Sequence, residues 1–192
     1  MIRPVAALFA CLVAIAPAAA QMPGQDNLMG RAAPGGEHLA AGLLRNVAAF
    51  SALTDAEISA LGQRAEPHLF RGGEAVVREG DTTDSMFVLG AGTFAVFVKG
   101  TRVATLNPGE VMGEYSLLTG ASRTATVRAL QDGVVFEFPR ADMAPVLRAH
   151  PEVVAALAAT MADRLQANDP QGRARDQIAK EIEAAARARL GL

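Results

Sequence analysis

The feature that most restricts what this chain can become is the rhythm of residues 66–138. Short apolar runs there are cut by turn signals: Gly72-Gly73, Gly80-Asp81, Gly90-Ala91-Gly92, Lys99-Gly100, Asn107-Pro108-Gly109, Gly120 and Asp132-Gly133. Turns at intervals of roughly eight to twelve residues leave room for strands and none for long helices, which is the layout of an antiparallel sandwich or barrel. Inside the runs, apolar residues alternate. Phe94, Val96 and Val98 share one strand face, and Val134, Phe136 and Phe138 share another, because successive side chains of a strand point to opposite sides.

Helical patterns flank this region. Leu39, Leu43, Leu44 and Val47 fall at helical spacing. Thr54 with Glu57 three residues on is a capping box; it predicts a helix from about Asp55 to Arg64 with Ile58 and Leu61 inward. Pro151 suits a first helical position, and Val154, Leu157, Ala158, Met161 and Leu165 form an apolar stripe after it. Asp169-Pro170-Gln171-Gly172 interrupts. Residues 173–190 then place Ile178, Ile182, Ala186 and Leu190 four apart. The fold class is α+β: an antiparallel, jelly-roll-like β-roll (a double-stranded β-helix) between N- and C-terminal helices.

The first residues follow other rules. Arg3, an apolar run from Val5 to Ile15, and Ala18-Ala19-Ala20 before Gln21 have the layout of a secretory signal peptide. The run is short for a spanning helix, which needs about 20 residues. Cleavage between Ala20 and Gln21 exports the chain to the periplasm; retention makes residues 1–20 an anchor with a cytoplasmic domain. Residues 21–42 are rich in Gly and Pro at their start and read as a flexible linker. The remaining division is a domain over 43–168 and an amphipathic C-terminal helix over 169–192.

Composition removes several functions. The net charge of −2 gives no general attraction to nucleic acid. The single cysteine, Cys11, rules out an intrachain disulfide and a cysteine-built zinc site. His38, His68 and His150 lack metal-ligand spacing, so no metal and no other cofactor is expected. No nucleophile–base–acid set is visible, and an enzyme is not expected. His68 reads as structural and His150 as exposed.

One stretch resists a purely structural reading. "EVMGEYSLLTGASRTATVRA", residues 110–129, sets Glu114 and Arg123 on either side of a Gly-containing turn. Taken alone they are compatible with an ordinary surface ion pair worth at most about 1 kcal/mol. They also suit one shared ligand. "EYSLL" fits a single helical turn, whose first N–H groups attract an anion, and Arg forks onto phosphate. Glu114 repels phosphate but accepts a hydrogen bond from a sugar hydroxyl.

"GEYSLLTGASRTATVRA" resembles the phosphate-binding cassette of cyclic nucleotide-binding domains, a Gly-Glu pair followed by Arg, a small residue, Ala or Thr, and Val. "FRGGEAVVREGDTTDSMFVLGAGTFAVFV" resembles that family's first strands, "LNPGEVMGE" its approach to the cassette, and "LLRNVAAFSALTDAEISAL" its leading helices. The likeness spans about Leu43 to Leu165. It implies that Glu114 takes the ribose 2′-hydroxyl and Arg123 the cyclic phosphate of cAMP or cGMP. It implies that Gly113, Ser116 and Leu117 line the sugar-phosphate, and that Thr124 and Ala125 lie near phosphate and base. It further implies a lid in the helix after Pro151, with Met161 or Leu165 as a base cap. Met112 stands where an aromatic is common, and Ser122 where Pro is common. A hydroxyl at Thr124 would suit a guanine edge.

The function expected is a non-catalytic sensor relaying ligand binding through its C-terminal helix. Four alternatives stay open. A transcription regulator would need a second helix and tight turn after residue 170, where the pattern reads as one helix; no DNA partner is expected. The chain also resembles the C-terminal domains of bacterial cyclic nucleotide-gated mechanosensitive-type channels, so it could be a detached or truncated regulatory piece with a membrane-protein partner. It could be a roll without ligand that forms homo-oligomers through C-terminal helices. A cupin-type enzyme would need a His-rich metal cluster. A cleaved signal also sits awkwardly with a ligand made inside cells.

Overall fold

The computed structural model describes residues 36–166 and 173–192. The signal or anchor segment and the 169–172 break lie outside the described residues. Helix α1 (Gly36–Arg45) comes first, then a 3-10 turn at Ala48–Phe50 and helix α2 (Asp55–Gly62). The linker expected over 21–42 therefore ends earlier than proposed. Ala40, Ala41 and Leu44 are buried along one side of α1. Glu37 in the first turn and Arg45 in the last complement the helix dipole. The helical spacing of Leu39, Leu43 and Leu44 marked this helix, and the glycines before it hid only where it starts. The capping box forms as read: Thr54 N donates to Glu57 Oε2 (2.9 Å) and Glu57 N to Thr54 Oγ1 (3.3 Å).

Eight strands follow: β1 (Glu66–Phe70), β2 (Ala75–Val77), β3 (Met86–Ala91), β4 (Phe94–Val98), β5 (Thr101–Leu106), β6 (Val111–Met112), β7 (Thr126–Ala129) and β8 (Gly133–Phe138). Helix α3 (Glu114–Thr119) sits between β6 and β7. All pairings are antiparallel, in two four-stranded sheets ordered β1-β8-β3-β6 and β2-β7-β4-β5. This is the roll expected from the turn spacing, flanked by helices.

Alternation along the first sheet divides the core in two. Phe87, Leu89, Met112 and Val135 face the second sheet and pack with Val76, Phe94, Leu106 and Val127. Met86, Val88, Phe136 and Phe138 face the other way, into the helices. Burial on both faces explains why "MFVL" in β3 is continuously apolar.

Helices α4 (Arg140–Ala149), α5 (Pro151–Gln166) and α6 (Arg175–Leu190) close the chain. Pro151 opens α5 as its sequence position suggested. The four-residue stripe of α6 is 0–4% exposed at Ile178, Ile182, Ala186 and Leu190, so it is consumed inside the chain, against α3 and α5. The α5 stripe is likewise core, with Met161 7% exposed.

His150 is not the free surface residue expected. It bridges two carboxylates, Nε2 to Glu57 Oε1 (2.7 Å) and Nδ1 to Glu152 Oε1 (3.1 Å), and ties the α4–α5 junction to the α2 cap. These bonds raise the imidazole pKa, Glu57 contributing most. Glu57 itself is lowered to about 2, chiefly by Thr54 and then by His150. A raised histidine stabilises fully below its unfolded value near 6.5 and loses that contribution as pH rises through the folded value. A lowered carboxylate stabilises above about 4.5 and loses it as pH falls. The clamp is therefore strongest between about pH 4.5 and 6.5. Urea denaturation should show His150→Gln costing more stability at pH 6 than at pH 8.5; an equal cost at both would contradict the clamp.

Candidate ligand-binding site

The candidate site is built where β6 hands over to α3. Gly113 turns the chain with φ +82° and caps α3. A Cβ there would lie 2.8 Å from Ser85 O and in hard contact with Arg123 Nη1, so the position needs glycine for both backbone and space. Gly120 ends α3 with φ +77°. The loop after it is pinned to the turn between β2 and β3: Arg123 N donates to Asp81 O (2.8 Å) and Gly80 N to Arg123 O (2.9 Å).

That anchoring drives the Arg123 side chain inward, to 4% exposure. Its Nε donates to Thr83 Oγ1 (3.0 Å) and its Nη1 to Gly113 O (3.0 Å), while the guanidinium lies over the Phe87 ring, 5.4 Å from the centroid. Its Nη2 is buried and makes no hydrogen bond among the described residues. Burial pushes the guanidinium pKa down; Glu137, Asp84, Glu114 and Asp81 oppose that shift.

Glu114 is 1% exposed. Its partner is not Arg123 but Arg164, whose Nη1 donates to Glu114 Oε1 (2.6 Å) and to Val111 O (2.8 Å). Burial raises the Glu114 pKa, with Arg164, its own backbone N–H and Arg123 pulling the other way. The surface Glu–Arg pair open from sequence is thus absent on both counts: the residues are buried, and each has other partners.

Sequence reasoning did not single out Arg164 or Arg189. Arg189 on α6 donates from Nη1 to Ser116 O (2.8 Å) and from Nη2 to Asp84 Oδ2 (2.7 Å). Arg164 stands three residues past Met161 at the rim of the α5 stripe, the place from which a long cationic chain can reach inward; that was the available signal. Of the other cassette residues, Ser116 and Leu117 are each 1% exposed, and Leu117 packs into the helical core. Thr124 is exposed and Ala125 half-buried, just ahead of β7. The structure therefore joins Gly113, Glu114 and Arg123 in one cluster, ties Ser116 to Arg189, and leaves Thr124 and Ala125 exposed or half-buried ahead of β7. Such a cluster can offer a guanidinium donor to an oxyanion and a carboxylate to a hydroxyl.

The family model for the cyclic nucleotide-binding domain matches residues 67–150. An uncharacterized NTE family protein of Mycobacterium tuberculosis is 30% identical over 133 residues, 69% of this chain and 23% of that protein. A cGMP-dependent protein kinase of Plasmodium berghei is 30% identical over 105 residues, 55% of this chain and 12% of the kinase. The chain thus spans under a quarter of these curated relatives. Among solved structures, the N-terminal domain of a transcriptional regulator from Streptomyces coelicolor A3(2) matches with TM-score 0.54 and 30% identity over 67% of this chain and 96% of that one.

Proposed function

Given that the chain belongs to the cyclic nucleotide-binding domain family through residues 67–150, we propose that it is a non-catalytic sensor of a cyclic mononucleotide. Arg123 grips the cyclic phosphate, Glu114 takes the ribose 2′-hydroxyl, and occupancy passes to α5 and α6. The observation that carries this reading is the buried, unpartnered Nη2 of Arg123. An unmade hydrogen bond on a desolvated cation is costly, and a phosphate oxygen would satisfy it with charge assistance.

The relay follows from who holds Glu114 now. A ribose hydroxyl arriving at that carboxylate competes with Arg164, so binding is felt at the end of α5. Arg189 ties α6 to the α3 carbonyl of Ser116 and to Asp84. Movement of either helix is then linked to the cassette. The cGMP-dependent kinase among the relatives supports guanine as one acceptable base, and a hydroxyl at Thr124 would suit a guanine edge. Residues 1–20 we read as a signal or an anchor; N-terminal sequencing of soluble and membrane fractions distinguishes a start at Gln21 from an intact Met1.

The test is Glu114→Ala in calorimetry with cAMP and with cGMP. Loss of a hydrogen bond to a charged group should weaken binding by about 1.5–3 kcal/mol. Unchanged affinity would remove the ribose role.

A further inference from the structure

Strand β1 sits beside β8 with Glu66 directly opposite Glu137 and His68 opposite Val135. Residues two apart on a strand share a face, so Glu66, His68 and Glu137 all stand on the face that carries Val135 into the roll. Their ligand-type atoms lie within 4.8 Å of one another. His68 Nε2 approaches Glu137 Oε2 to 2.9 Å. Yet that nitrogen is buried and makes no aligned hydrogen bond among the described residues. The other Glu137 oxygen accepts from the Ser85 hydroxyl, which fixes the carboxylate's orientation as outer partners of metal ligands do. Ser85 is 6% exposed.

We propose that Glu66, His68 and Glu137 bind one borderline divalent cation, Zn2+ being the best match, clipping β1 to β8. One imidazole and two carboxylates are a Zn2+ donor set, with water completing a four-coordinate shell; Mg2+ and Ca2+ favour oxygen-only shells. Tetrahedral Zn–N and Zn–O bonds of about 2.0–2.2 Å set ligand atoms roughly 3.3–3.5 Å apart, so the His68–Glu137 pair opens slightly from 2.9 Å while the exposed Glu66 has the freedom to adjust. A ring nitrogen binds metal only when it is deprotonated, so affinity rises with pH.

The signal was invisible in the chain's spacing because Glu137 lies 69 residues from His68 in sequence; only the β1–β8 register joins them. The three ligand residues differ from those proposed to hold a nucleotide, although Glu137 also acts electrostatically on Arg123. The test is titration of ZnCl2 into the full chain without nucleotide, at pH 7.5 and pH 6.0. One equivalent should bind at pH 7.5, more weakly at pH 6.0. Glu66→Gln and His68→Gln should each weaken binding by at least about tenfold, while His150→Gln leaves it unchanged. Zn2+ should also raise the melting temperature of the wild type and not of Glu66→Gln, whose exposed side chain makes misfolding an inadequate explanation. Failure to bind Zn2+ at pH 7.5, wild-type affinity in His68→Gln, or an equal loss in His150→Gln would overturn the proposal.

Discussion

Arg123→Leu should abolish binding of cyclic nucleotides, a loss of at least about a hundredfold. The phosphate would lose a forked, charge-assisted contact in a buried setting, where each hydrogen bond to a charged group is worth about 1.5–3 kcal/mol. The variant also leaves the Gly113 carbonyl and the Thr83 hydroxyl without their arginine donors, so the fold is to be followed alongside by circular dichroism. Arg123→Lys separates the two effects. It keeps the charge over Phe87 but gives up the planar fork, and its affinity should fall well below the wild type while its spectrum does not change. Arg123→Lys binding as tightly as wild type would show that the fork is not what holds the ligand.

Gly113→Ala should be the most damaging single methyl in the cassette. At φ +82° an L-residue costs about 1–2 kcal/mol. The new methyl also meets Ser85 O at 2.8 Å, and a backbone oxygen has little freedom to retreat; such overpacking costs about 1–3 kcal/mol. The sum, about 2–5 kcal/mol, should appear as a lowered denaturation midpoint. Gly120→Ala is the comparison. It has a similar φ, but its methyl meets only the flexible end of Arg189, so it should cost less. Equal losses would mean that backbone strain alone, and not the close approach to Ser85, makes glycine necessary at 113.

How much of this was legible follows from the range over which each signal acts. Turn chemistry and alternation are local, so the eight strands, the capping box at Thr54 and the start of α5 at Pro151 could be read directly. The resemblance to cyclic nucleotide-binding domains pointed to Glu114 and Arg123 because the cassette is one continuous stretch. Partners supplied from afar could not be read the same way. Arg164 reaches Glu114 across fifty residues and Arg189 reaches Ser116 across seventy-three, and each looks in sequence like ordinary helix-surface charge. His150 was misread for the same reason: its Glu57 partner lies ninety-three residues earlier. The linker boundary failed for a different one: the glycines at the start of α1 read as linker, although the spacing of Leu39, Leu43 and Leu44 had marked the helix itself.

The most direct measurement is a calorimetric titration of the full chain with cAMP and with cGMP, with 5′-AMP as the open-phosphate comparison. Saturable one-to-one binding of at least one cyclic nucleotide, far tighter than that of 5′-AMP, is the outcome expected if a buried guanidinium and a ribose-reading carboxylate form one site. No binding of either at millimolar concentration, from a chain that is folded by circular dichroism, would contradict it.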